Sequence, residues 1–129
     1  MAAPYKPAGY TSVSPYLIVN GAAATIDFLT RVFGGAELRR FADDAGRLMH
    51  AEVRIDDTVV MVADSAPPAW PAVASQVHIY VPDVDATYRK ALDAGAVSVQ
   101  EPSKKADEDR RAGVKDGGGT TWWVATKVE

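Results

Sequence analysis

Gln76-Val77-His78-Ile79-Tyr80-Val81-Pro82-Asp83-Val84-Asp85-Ala86-Thr87-Tyr88 is a strand-like run that turns directly into a helical one and closes at Ala94-Gly95-Ala96. The chain has already written this pattern once. Tyr16-Leu17-Ile18-Val19 aligns with His78-Ile79-Tyr80-Val81, Phe28 with Tyr88, and Gly35-Ala36 with Gly95-Ala96. Self-similarity on this scale marks a supersecondary unit present in two copies. Each copy reads as a strand, a helix and three strands. A lone copy would leave one sheet face bare, so the two are expected to combine in one α+β domain.

The first copy spells out its elements clearly. Thr11 to Val19, rich in Val, Tyr, Leu and Ile, predicts a strand. Gly21 to Phe33 carries Ala24, Ile26, Phe28, Leu29, Val32 and Phe33 at near-helical spacing, and Gly34-Gly35 stops it. Strands are then expected at Ala36 to Phe41, Leu48 to Ile55 and Thr58 to Ala63, the last two joined by a tight turn at Asp56-Asp57. Pro67, Pro68 and Pro71 around Trp70 exclude a central strand or a regular helix and mark a linker.

In the second copy, strands are expected at Gln76 to Val81, Val97 to Gln100, Ala112 to Lys115 and Thr121 to Lys127. A helix is expected over Asp83 to Ala94, capped by Asp83 or Asp85. The charged stretch Ser103 to Arg111 reads as a mobile loop. The organisation is then an N-terminal arm (1–10), module one (11–66), a Pro-rich linker (67–74) and module two (75–129), forming one domain.

Composition narrows the function classes. The 129 residues are 47% hydrophobic and 24% charged, which is ordinary globular usage with room for one core. A net charge of -3 without a basic block argues against nucleic acid as a partner. With no cysteine there is no disulfide, thiolate metal site or Cys nucleophile. Neither a signal-peptide h-region nor a membrane-length apolar run is present, so a cytoplasmic protein with no membrane partner is expected.

Several motifs carry a family resemblance. Tyr5-Lys6-Pro7, Val13-Ser14-Pro15-Tyr16-Leu17, Gly46-Arg47-Leu48-Met49-His50-Ala51-Glu52, Asp57 to Asp64, Val81-Pro82-Asp83-Val84-Asp85-Ala86 and Asp109-Arg110 through Gly119 to Thr126 resemble the PhnB-like branch of the vicinal oxygen chelate (glyoxalase and bleomycin-resistance) superfamily. The resemblance implies two βαβββ modules forming a curved mixed sheet, a cup that holds a small molecule. It also implies a homodimer, because members pair modules within or between chains.

In that superfamily four inner positions, usually His, Gln or Glu, often bind a divalent metal. The resemblance places them here at Ser14, Met61, Gln76 and Trp123. Gln76 alone is a plausible ligand, and a catalytic ion needs about three. No metal and no other cofactor is therefore expected. The Gly117-Gly118-Gly119 run is not a phosphate loop, because it precedes a strand and no Lys-Ser/Thr follows it.

Strand alternation names the rest of the lining, since side chains two apart share a face. Ser14 brings Tyr16, and Gln76 brings His78 and Tyr80. In Leu48 to Ile55, one face is Met49, Ala51, Val53 and Ile55, expected under the helices; the other is His50, Glu52 and Arg54, either lining the cup or simply solvated. The expected ligand contacts are Ser14, Tyr16, Met61, Gln76, Tyr80, Trp123 and Arg110, with Trp70 a lid or dimer contact.

Three functions compete. One is a metal-free binding protein for a small compound, aromatic or not. Another is a lyase or isomerase acting on a small oxygenated substrate, with His50 or His78 as general base and Glu52 nearby, with or without a divalent metal held by His50, Glu52, Gln76 and His78. The third is an interaction module with a vestigial cup. His50 and Glu52 stand roughly 7 Å apart at Cα, a spacing that argues against a direct hydrogen bond between them.

Overall fold

A computed structural model of the protein describes residues 4–129. The order of elements is β1 (Tyr16–Val19), α1 (Ala22–Phe33), β2 (Ala36–Ala42), β3 (Leu48–Ile55), β4 (Thr58–Asp64), β5 (Gln76–Tyr80), α2 (Val84–Asp93), β6 (Val97–Lys104), β7 (Asp109–Lys115) and β8 (Thr121–Lys127). This is βαβββ twice, an α+β fold. Each module forms its own four-stranded mixed sheet, ordered β1-β4-β3-β2 and β5-β8-β7-β6. In both, the first strand lies parallel to the last, and the other pairs are antiparallel.

The helices begin and end where the chain's turn residues dictate. Gly21 and Gly34 flank α1 in the left-handed conformation, with φ 86° and 68°. Such angles suit glycine, which has no Cβ to clash. Asp83 caps α2 by accepting from the Ala86 N–H. The apolar faces of the helices meet their own sheets and each other. One continuous core results, running from Leu17, Leu29 and Val53 in module one to Val114, Trp122 and Val124 in module two. Phe33 lies against Trp122 with ring centroids 5.0 Å apart, tying the halves together. Gly118 presses on Thr25 and Val19, where a Cβ would stand 2.9 Å from the Thr25 hydroxyl.

The structure corrects two boundaries. Only Tyr16–Val19 of the expected Thr11 to Val19 strand is strand; residues 11–15 approach it as irregular chain. The expected loop at Ser103 to Arg111 is mostly hairpin, with Ser103 paired to Arg111 and Lys104 to Arg110. Ion pairs from Arg111 to Asp107 and Asp109 compensate its charge, which hid the strand from a hydrophobicity reading.

Met49 is 46% exposed rather than packed under the helices. Phe41 pairs with His50 and Ala42 with Leu48, so Met49 is an extra residue at a β-bulge. The bulge breaks the alternation and puts Leu48 into the core instead.

Candidate functional site

The inner face of module one holds a connected polar cluster. β3 places His50 and Glu52 side by side, and His50 Nε2 lies 2.7 Å from Glu52 Oε2. The bond that Cα spacing argued against therefore exists. The two side chains project from the same face of β3, and their combined reach spans the gap. Tyr10, from the arm, donates its hydroxyl to Glu52 Oε1, and Arg39 of β2 reaches the same oxygen at 3.2 Å. Tyr16 lies across β4 from these residues, its hydroxyl 2.9 Å from His50 Nδ1.

Glu52 is buried, not solvated. Burial alone would raise its pKa. The hydrogen bonds from Tyr10 and His50 and the charge of Arg39 outweigh that, leaving the carboxyl below its usual range. The ionised carboxylate fixes the protons around it. His50 Nε2 carries a hydrogen facing Glu52, and in the neutral ring Nδ1 then accepts from Tyr16. The result is a chain Glu52–His50–Tyr16 that ends at a half-exposed phenol, with Trp70 packed edge-on against Tyr16 at 6.4 Å.

Ser14 and Met61 line the same pocket as Glu52, a cavity of about 470 Å³ roofed by the arm.

Module two repeats the arrangement with other chemistry. The strand registers equate Tyr16 with His78, and Met61 with Trp123. Stepping across the next ladders equates Glu52 with Gly113 and His50 with Arg111. The Tyr16–His50 contact thus returns as His78–Arg111, where Arg111 donates from Nε to His78 Nε2 at 3.1 Å. Burial and then the Arg111 charge lower the His78 pKa, against the opposing pull of Asp109 and Asp107. Both effects favour the neutral ring, and its Nε2 already accepts a hydrogen bond from Arg111.

Gly113 leaves a seat for the Trp123 indole, which would lie 2.6 Å from a Cβ there. The indole N–H is fixed by Gln76 Oε1 at 2.8 Å. Tyr80 stacks edge-on with His78 at 5.0 Å and donates to Asp109, a buried carboxylate whose Oδ1 has no partner.

The expected site residues thus fall into two groups. Ser14, Tyr16, His50, Glu52 and Met61 come together in module one; Gln76, His78, Tyr80 and Trp123 come together in module two. Among the described residues, no hydrogen bond, ion pair or ring contact joins the groups. A groove of about 310 Å³ at the junction does meet both modules, through Ile55 and Thr58 on one side and His78 and Tyr80 on the other.

Arg110 joins neither group. It points to the helix side of β7 and makes a bidentate pair with Asp85 at 2.8 and 3.1 Å. Arg111, its neighbour, is the arginine on the inner face. The sequence reading missed Tyr10, Arg39, Asp109 and Arg111. Alternation from Gly113 would have found the last two, had residues 109–111 been taken as strand.

The four family metal positions do not fit an ion. The one amide oxygen among them, on Gln76, is bonded to the Trp123 N–H, and Ser14 and Met61 are poor donors. Among the described residues, no three His, Asp or Glu side chains are grouped to hold one.

Comparison with known proteins agrees with this architecture. The profile of the Glyoxalase/Bleomycin resistance protein/Dioxygenase superfamily matches residues 10–124. An uncharacterized protein of Mycobacterium bovis is 34% identical over 127 residues, covering 91% of this chain and 84% of its own. TioX from Micromonospora sp. ML1 superposes with a TM-score of 0.71 at 27% identity, covering 90% of this chain and 99% of TioX. TnmS3, an antibiotic binding protein from Streptomyces sp. CB03234, superposes with a TM-score of 0.68 at 20% identity over 91% of this chain and 98% of TnmS3.

Proposed function

The chain belongs to the Glyoxalase/Bleomycin resistance protein/Dioxygenase superfamily, and from that premise we propose that it is a metal-free binding protein for a small, planar aromatic compound. One observation carries the reading. The Trp123 indole rests against Gly113 with its N–H anchored by Gln76, so the ring is oriented before any ligand arrives. A preorganised aromatic platform with a few polar groups around it suits a planar, moderately polar guest. TnmS3, which shares the fold, is an antibiotic binding protein, and that supports a small-molecule ligand for this chain.

The reading includes a homodimer. Each chain offers two inner-face clusters that do not meet, and Tyr80 is 61% exposed on the edge strand of the second. Pairing module one of one chain with module two of another would set both clusters around one hollow. Light scattering of the purified protein tests this, and a monomer at all working concentrations refutes it. A cytoplasmic site of action completes the reading, supported by the cysteine-free composition; among the described residues, no helix is long and apolar enough to cross a membrane.

Tryptophan fluorescence titration against a panel of planar aromatic compounds tests the main proposal. Saturable quenching is expected, lost on Trp123→Ala. Binding that survives Trp123→Ala unchanged, or no binding across a broad panel, overturns it.

The Glu52–His50–Tyr16 chain favours a second reading, an enzyme that moves a proton on a small oxygenated substrate. Both His50 nitrogens are engaged, so the group that would face substrate is the Tyr16 phenol, relayed through His50 as in nucleophile–base–carboxylate triads. In this reading Tyr16→Phe lowers turnover about 10²–10⁴-fold with substrate binding retained. Turnover unaffected by that change removes it.

A further inference from the structure

Tyr10 is held on module one as a ligand would be. Its ring lies beside the Arg39 guanidinium, 5.9 Å from Cζ to the ring centroid, and its hydroxyl donates to the buried Glu52 carboxylate. A cation beside the ring and an ionised acceptor at its hydroxyl are the two contacts that select a phenol. A bare hydrocarbon ring lacks the donor, and a carboxylate would be repelled by Glu52.

Little else holds the arm down. Pro7-Ala8-Gly9-Tyr10 forms a turn closed by Tyr10 N–H to Pro7 O at 3.2 Å, with Gly9 at φ 81° in the position a type II turn reserves for glycine. Gly9 O accepts from Arg54 at 3.1 Å. Tyr5 is 92% exposed and Val13 83%, so on either side of Tyr10 the arm buries almost no apolar surface. Segments attached by so few contacts open at low free-energy cost. Beneath the arm lies the pocket floored by Glu52, Met61 and Ser14.

We propose that the Glu52–Arg39 pair is a receptor for a phenolic ring, that Tyr10 is its occupant in the free chain, and that a hydroxylated aromatic ligand binds by displacing Tyr10. This rests on the small-molecule reading above and names its ligand class. The arm then sets specificity, because a guest must do better at Glu52 than the tethered phenol it replaces.

The test uses the full chain, with 4-methylphenol as the free counterpart of the tyrosine side chain and toluene as its donor-less isostere. In Tyr10→Ala, 4-methylphenol should bind at least about tenfold tighter than toluene, the factor that one hydrogen bond to an ionised acceptor is worth. NMR shifts should appear at His50 and Arg39, and adding Glu52→Gln should erase the preference. In case Tyr10→Ala misfolds, Tyr10→Phe keeps the ring and removes only the hydroxyl; it should bind 4-methylphenol several-fold tighter than the native chain does.

Equal binding of the two probes, shifts away from His50 and Arg39, or no gain in Tyr10→Phe overturns the proposal. If planar ligands bind at Trp123 while both Tyr10 variants leave every affinity unchanged, the phenol seat is refuted and the binding reading stands. If 4-methylphenol fills the seat in Tyr10→Ala but nothing on the panel quenches Trp123, the binding reading fails and the seat stands.

Discussion

Replacing Glu52 by Gln should destabilise the protein at neutral pH and leave its stability nearly unchanged in acid. Glu52 accepts from the Tyr10 hydroxyl, from His50 Nε2 at 2.7 Å and from Arg39 Nε at 3.2 Å. A hydrogen bond to a charged group contributes about 1.5–3 kcal/mol and one to a neutral group about 0.5–1.5, so neutralising the shared acceptor of three bonds removes about 3 kcal/mol. The amide can keep the geometry. Its oxygen faces Tyr10 and Arg39, while its NH2 donates to His50 once that ring moves its proton to Nδ1. Relief from burying a charge offsets part of the loss, leaving a net cost of about 1–2 kcal/mol.

The sign with pH follows from the lowered Glu52 pKa. A depressed carboxyl stabilises the fold above its unfolded value, about 4.3, and the contribution disappears as pH falls through the folded pKa. Urea unfolding of the native chain and Glu52→Gln, followed by tryptophan emission, should therefore show a gap at pH 7 that persists to about pH 4 and closes below it. A variant as stable as the native chain at pH 7, or a gap that does not change with pH, would refute the assignment of Glu52 as a buried, ionised acceptor.

Other expectations follow from separate parts of the molecule. His78 should titrate below the ordinary imidazole range, and Arg111→Gln should move it upward; NMR of the ring protons reads both, and a native midpoint at or above about 6.5 contradicts the site. Because that pKa is lowered, the His78 contribution to stability is complete above about pH 6.5 and is lost as pH falls through the folded value. Gly113→Ala should push the Trp123 ring off its seat, with red-shifted emission and a loss of about 1–3 kcal/mol in chemical unfolding. Leu29→Ala, at a fully buried α1 position, should cost about 2–5 kcal/mol without altering ligand affinity at the inner faces.

The extent to which the chain could be read in advance follows the range of each interaction. The duplicated strand–helix pattern, the glycine stop after α1 and an aspartate cap on α2 (Asp83 or Asp85) are set by residues a few positions apart, so they were legible in the letters; the structure decided for Asp83. So was the inner-face membership of Tyr16, Gln76, His78 and Trp123, since period-two alternation is a local rule. The family resemblance named the positions where metal ligands would sit, and the letters there already disfavoured an ion.

Two features of the site depended on the folded chain. A bulge at Met49 took that residue out of the core and put Leu48 there, and His50 and Glu52, placed on one face by counting, bond directly although their Cα spacing argued against it. Tyr10 and Arg39 reached the same carboxylate from distant parts of the sequence, one along an irregular arm and one through cross-strand register. Local periodicity determines which face a side chain occupies. Which distant groups share a buried charge is decided only when sheet register and chain path are fixed together, because the energy that selects those partners does not exist until water has been excluded.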